Sequence, residues 1–241
     1  MELRESIWEG LKRLDFEFEG RNCILICPEN PVEGNKWLYK TEYFGAFPNF
    51  EIEMVKRGYF LAHIETESRW NLASDDAIRP CFVEFMKKEF GLNDKCVPVG
   101  MSCGGMQAVY FAAEYPQHVA ALYIDAPVLN FLSCPFAVGE AETDFIEQFV
   151  EQRKMTLSEM LNYRNHPIDN AHKIIDAKIP LCLVCGAIDK VVPYNENGKI
   201  LSEMYNAAGV EIFEILKPDC DHHPHGLSDP APIIEFVEKH Y

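Results

Sequence analysis

No apolar run in this 241-residue chain approaches the roughly 18–20 residues that a membrane span requires. The start, Met1-Glu2-Leu3-Arg4-Glu5-Ser6, lacks the basic-then-apolar order of an export signal. Positive charge is also scarce: 22 Lys and Arg stand against 38 Asp and Glu, a formal net charge of −16. So acidic a surface cannot neutralise rows of phosphates, and no nucleic-acid or membrane partner is expected. Repeats and low-complexity tracts are missing. The nine cysteines, without an export signal, are expected to be reduced thiols of a cytoplasmic protein, mostly small buried hydrophobes. The length suits one domain, residues 1–241, around a single core.

Metal-ligand spacing is lacking too. In Cys182-Leu183-Val184-Cys185 the two thiols would face opposite sides of a strand. The group Cys220-Asp221-His222-His223-Pro224-His225 could ligate on composition but has no second ligand set at recognisable spacing. Neither a metal nor an organic cofactor is expected.

What the chain has is Pro98-Val99-Gly100-Met101-Ser102-Cys103-Gly104-Gly105. An apolar stretch runs into Gly-x-Ser-x-Gly, and a helical pattern (Met106, Val109, Tyr110, Ala113) follows at once, the strand–turn–helix context of a nucleophile elbow. Glycines two residues either side of the serine let strand and helix pass without a Cβ clash. The Cys103 N–H would point at the oxygen of a carbonyl attacked by Ser102, an oxyanion-hole donor. By average composition the pentapeptide arises by chance in roughly one such chain in ten to twenty. The rest of the chain must decide.

A serine hydroxyl needs an imidazole to take its proton, and the imidazole needs a carboxylate to hold its tautomer. On this elbow the chain order is Ser, then Asp or Glu, then His. The strand-like Ile179 to Gly186 leads into Ala187-Ile188-Asp189-Lys190-Val191-Val192-Pro193, which puts Asp189 where the acid belongs. Asp125, ending the strand at 119–124, is its rival. A later strand, Val210 to Leu216, opens into Asp219-Cys220-Asp221-His222-His223-Pro224-His225-Gly226-Leu227. His222 is the expected base, His223 its competitor, and His225 stands behind both.

Strands are expected at 14–19 and 21–27 (an antiparallel pair), 59–64, 119–124, 181–185 and 210–216, besides the elbow strand. Helices are expected at 50–57, 75–90, 196–208 and 231–240, with Ser228-Asp229-Pro230 starting the last one. This alternation predicts an α/β fold, a mostly parallel central sheet with helices on both faces. About 55 residues separate strands 119–124 and 181–185, more than one crossover needs. Residues 131–170 are therefore expected to form a small helical lid.

Four segments together, Trp37-Leu38-Tyr39-Lys40-Thr41-Glu42-Tyr43-Phe44-Gly45-Ala46-Phe47-Pro48, the elbow, Asp125-Ala126-Pro127-Val128 and His222 to Leu227, resemble the α/β-hydrolase superfamily. The likeness runs over nearly the whole chain and is to a bacterial branch described as esterase or prolyl-oligopeptidase-like, often linked to glycan breakdown. It implies Ser102 as nucleophile, Asp189 as acid and a histidine of the 222–223 pair as base. Cys103 departs from the arginine expected after the serine in many relatives. No His-Gly or Gly-Gly oxyanion motif follows Ile24 to Cys27, and Pro28 has no N–H. The second oxyanion donor is thus expected from residues 29–45.

Trp37, Tyr39, Tyr43 and Phe44 are expected in a loop on the triad's edge, with Glu65, Ser68, Arg69, Trp70 and Asn71 after the next strand. Of these, Trp37, Arg69 and Trp70 are the candidate substrate contacts, an aromatic platform for a sugar or another polar ring. The expected function is a serine esterase acting on a small-molecule ester of short acyl chain, acetylated sugar in particular. The alternatives are an oligopeptidase-type serine peptidase and a non-catalytic binding protein.

Overall fold

The structure, a computed structural model, describes residues 2–241. The chain opens as a meander of β1 (Arg4–Trp8), β2 (Leu11–Phe18) and β3 (Arg21–Cys27). Its two reversals, Glu9-Gly10 and Glu19-Gly20, all sit at positive φ, the backbone of two-residue hairpins whose twist suits the flanking strands. β1 was not anticipated. It is an exposed edge strand with mixed side chains and no alternation to read.

Strands and helices then alternate: β4 (Trp37–Lys40), α1 (Asn49–Lys56), β5 (Phe60–Ile64), α2 (Ala73–Phe90), β6 (Val97–Met101), α3 (Cys103–Glu114) and β7 (Leu122–Asp125). Next come α4 (Ile146–Arg153), α5 (Leu157–Asn162) and α6 (Ala171–Asp176). β8 (Leu181–Gly186), α7 (Gly198–Ala208), β9 (Ile212–Lys217) and α8 (Ala231–His240) complete the chain. Gly91 and Gly209, both at φ 66°, close α2 and α7 in left-handed caps. At α8 the sequence reading shifts slightly: Pro230 is the cap itself, and Asp229 accepts from the Ala231 N–H at 3.0 Å.

One nine-stranded sheet has the order β1-β2-β3-β5-β4-β6-β7-β8-β9. From β5 to β9 every neighbour is parallel; β1, β2, β3 and β5 pair antiparallel. This is the mostly parallel sheet of an α/β hydrolase. After β4 the chain steps to β5 on one side and then to β6 on the other, so the order reverses between β4 and β6. The crevice at the carboxyl ends of two such strands is where open α/β sheets bind ligands.

Apolar residues alternate between two cores. Along β8, Leu181, Leu183 and Cys185 face the core under α2, α3, α6 and α7, while Cys182 and Val184 face that under α1 and α8. The two thiols therefore lie on opposite faces, as the strand period requires. A third cluster joins Trp70, Cys103, Met106, Tyr110 and Val128 to Phe131, Phe149 and Met160 of the 131–170 segment, laying that segment over the elbow. Among the described residues no helix is long and apolar enough to cross a membrane.

Candidate active site

β6 and α3 meet at Ser102, held at φ 53°, ψ −119°, a left-side conformation that costs a non-glycine residue about 1–3 kcal/mol. The turn is fixed on both sides: the Ser102 N–H donates to the Asp125 carbonyl at 2.9 Å, and its own carbonyl accepts from Val128 at 3.1 Å. Gly100 and Gly105 are obligatory. A Cβ on Gly100 would fall 2.2 Å from the Gly104 carbonyl oxygen, and one on Gly105 2.6 Å from Pro127 Cβ.

Asp189 lies in the loop after β8. Its Oδ1 accepts the N–H groups of Val191 and Val192, both at 2.8 Å, which aims Oδ2 at His222. His222 Nδ1 donates to that oxygen at 2.7 Å, leaving Nε2 to accept from the Ser102 hydroxyl at 3.1 Å. Asp221 ties the acid loop to the histidine loop: its Oδ1 accepts from Lys190 N (3.0 Å) and His222 N (2.8 Å). These two bonds hold the Asp221 carboxyl below the usual aspartate range. Gly186 permits the approach, since a Cβ there would lie 2.3 Å from the Cys220 carbonyl oxygen.

The rival residues have other partners. Asp125 accepts from His225 Nδ1 at 2.6 Å and from the Gly226 N–H at 2.8 Å, so it braces the histidine loop and does not reach His222. His223 is exposed and stacks on Phe47 at 5.5 Å. Partial burial, then the neighbouring His225 and His222, push its pKa below the ordinary histidine value.

Ser102 opens onto a cavity of about 330 Å³. Tyr43, Trp70, Cys134, Phe145 and Val191 give it apolar walls, and Arg69 adds a cation. Arg69 lies over the rings of Trp70 (5.1 Å) and Phe145 (4.7 Å), an arrangement that holds a guanidinium by cation–π attraction. Gln107 of α3 ties the surrounding loops together, donating to Glu42 Oε2 at 2.7 Å and to the Arg69 carbonyl at 3.1 Å.

The structure thus brings Ser102, Cys103, Asp189, His222, Arg69 and Trp70 together. Trp37 has to be removed from the set. It opens β4 at the amino end of a central strand, fully buried, with Nε1 donating to the Asn93 carbonyl at 2.9 Å. Tyr39 is core as well. Both were expected in a loop because β3 was taken as the strand before the oxyanion segment. That strand is β4, and Trp37-Leu38-Tyr39-Lys40 is too short to show a period. The loop after β4 carries Tyr43, at φ 54°, to the cavity wall beside Ser102 and Cys103. Burial raises the pKa of the Tyr43 phenol and of the Cys103 thiol. Phe145 and Cys134 had no signal in the sequence, since nothing local marks where a residue of the 131–170 segment lands.

A model of the prolyl oligopeptidase family matches residues 74–241. The chain belongs to that family. Its nine-stranded, mostly parallel sheet with flanking helices is an α/β-hydrolase fold. No curated protein matches it. Among solved structures it is similar to a protein assigned as a dipeptidyl aminopeptidase IV from Bacteroides ovatus, with TM-score 0.67 and 15% identity. That match covers 98% of this chain and 36% of the other. A second is the acylaminoacyl peptidase of Pyrococcus horikoshii, with TM-score 0.66, 13% identity and coverage of 91% and 37%. At such identities the likeness is one of fold, and the chain spans little more than a third of either protein.

Proposed function

We propose that this member of the prolyl oligopeptidase family is a serine peptidase of small substrates, with Ser102 as nucleophile, His222 as general base and Asp189 as the carboxylate that orients it. The observation that carries the reading is the unbroken chain of contacts from Asp189 through His222 to Ser102, opening into an apolar cavity. Ser102 attacks the scissile carbonyl as His222 Nε2 takes its proton, and the charge that develops on the imidazolium is balanced by Asp189. The oxyanion falls to the Cys103 N–H, first in α3 and so without a helical partner, and to Tyr43 as the second donor. His222 then returns the proton to the leaving amine, and water releases the acyl group. A cavity of about 330 Å³ has room for one apolar side chain or acyl group beside the nucleophile, with Arg69 at its wall to meet a polar or anionic end. The 131–170 segment, which contributes Cys134 and Phe145, acts in this reading as the lid that limits substrate size.

Family membership, and two structural neighbours both named as peptidases, favour amide over ester cleavage. Short-acyl ester hydrolysis stays as a second reading because the same acyl pocket accepts an acetyl group. One assay decides: aminoacyl, dipeptidyl and N-acetyl-aminoacyl p-nitroanilides beside p-nitrophenyl acetate, butyrate and octanoate, with wild type and Ser102→Ala. Serine-dependent anilide turnover supports the peptidase. Turnover confined to short esters moves the assignment to the esterase, and none on either series, with no fluorophosphonate labelling of Ser102, leaves a binding protein.

A further inference from the structure

More imidazole is gathered at the cavity mouth than acyl transfer uses. The ring centroids of His222, His223 and His225 form a near-equilateral triangle, with sides of 4.9, 4.9 and 4.8 Å. One ligating nitrogen from each lies within 4.8 Å of the others, and no other trio of His, Cys, Asp or Glu converges in this way among the described residues. A tetrahedral zinc ion with imidazole nitrogens at about 2.1 Å would set its ring centres roughly 5.2 Å apart. The ring centres stand close to that spacing, and the ligating nitrogens, within 4.8 Å of one another, have to close to about 3.4 Å.

Two of the rings are also braced as metal ligands commonly are. His222 donates Nδ1–H to Asp189 and His225 donates Nδ1–H to Asp125, at 2.7 and 2.6 Å, and both carboxylates are 99% buried (1% exposed). A carboxylate behind an imidazole fixes its tautomer and orientation, makes Nε2 more basic and strengthens its bond to a metal. The His225–Asp125 pair has no part in the proton transfers of the triad; besides bracing the histidine loop, it fixes the orientation of the His225 ring. His223, exposed on the same loop, can turn inward as the third ligand. Ser102 Oγ, 3.1 Å from His222 Nε2, is within the roughly 3.4 Å that separates two ligands of one tetrahedral ion.

We propose that His222, His223 and His225 bind a divalent transition cation of the zinc type, and that its binding switches hydrolysis off. The ion would take the Nε2 lone pair with which His222 accepts the Ser102 proton, so the nucleophile and the metal compete for one nitrogen. The inhibitory half rests on the role given to His222 above; the binding half does not.

The test uses the full chain after chelator treatment and dialysis. Zn²⁺ is titrated against a chromogenic chelator and Co²⁺ is followed by its tetrahedral visible absorption, both in wild type and in Ser102→Ala, where no turnover intrudes. One equivalent per chain is expected. His223→Gln and His225→Gln should each weaken it at least tenfold, and Asp125→Asn about 10–100-fold, while Cys81→Ser leaves it unchanged. Hydrolysis by wild type should fall with the same midpoint and return on adding chelator. Absence of stoichiometric binding, or binding indifferent to His223→Gln (an exposed position whose change leaves the fold intact), overturns the site. Histidine-dependent binding with undiminished hydrolysis overturns the switch. Such binding in a chain that cleaves nothing keeps the site and discards the hydrolase.

Discussion

At Ser102 the hydroxyl and the backbone do separate jobs, and substitutions should pull them apart. Ser102→Ala should abolish turnover while unfolding free energy stays within about 1 kcal/mol of wild type, since the residue is only partly buried; denaturant melts beside the activity assay check it. For the base, His222→Ala should lower kcat by about 10⁴–10⁶. His223→Ala should lower it far less, because no hydrogen bond joins that ring to Ser102 or Asp189; the reverse ranking would move the base by one residue. Tyr43→Phe should cost about 10²-fold in kcat if the phenol holds the oxyanion, with little change in KM. Ser102, Asp189 and His222 were legible because their chemistry requires fixed residue types at the ends of strands. Tyr43, the proposed second donor, was legible only as far as its segment, residues 29–45, since a donor that can be any residue's N–H or a hydroxyl leaves no motif.

Each loop at the site is anchored by the element that precedes or follows it. Lys40 at the end of β4 pairs with Glu51 of α1 at 2.5 Å, both fully buried, and so pins the 41–48 loop that carries Tyr43. Lys40→Met should therefore destabilise by about 3–5 kcal/mol, because it strands a buried carboxylate. Lys40→Met combined with Glu51→Leu should recover most of that loss, which thermal melts of the two variants would show. Asp221 links the acid and histidine loops, and its folded pKa is lowered. Its stabilisation is present above the unfolded carboxyl pKa and is lost as pH falls through the folded value. Asp221→Asn should thus be less stable than wild type near neutrality and converge with it in strong acid, as melts between pH 7 and 2.5 would reveal. The long elements were legible from periodicity and glycine caps, as in α2 with Gly91. β1 and β4 were not: one is an exposed edge and the other a four-residue strand buried on both faces.

For the molecule as a whole, the three apolar clusters are unequal. The two that sandwich the sheet draw on many strands and helices, whereas across α4 and α5 of the 131–170 segment only Phe149 and Met160 are buried. Arg153 adds a clamp, donating to the carbonyls of Trp70 (2.9 Å) and Asn71 (3.2 Å) from between the rings of Phe131, Phe149 and Tyr163. Amide exchange should accordingly be fastest in α4 and α5 and slowest in β6, β7 and β8. Arg153→Ala should raise exchange across 140–165 and raise KM while the sheet stays protected. The α/β architecture was readable end to end because alternating buried strands and amphipathic helices fill most of the chain. How the 131–170 segment lies on the body was not, since its placement depends on contacts far apart in sequence.

The backbone of Ser102 implies an opposition between folding well and reacting. With φ at 53° and ψ at −119°, the position suits glycine better than any residue bearing a nucleophile. A lineage released from the need to react could therefore gain stability by losing its serine, and Ser102→Gly should melt above Ser102→Ala. Only continued selection for turnover would keep a serine at so uncomfortable a place.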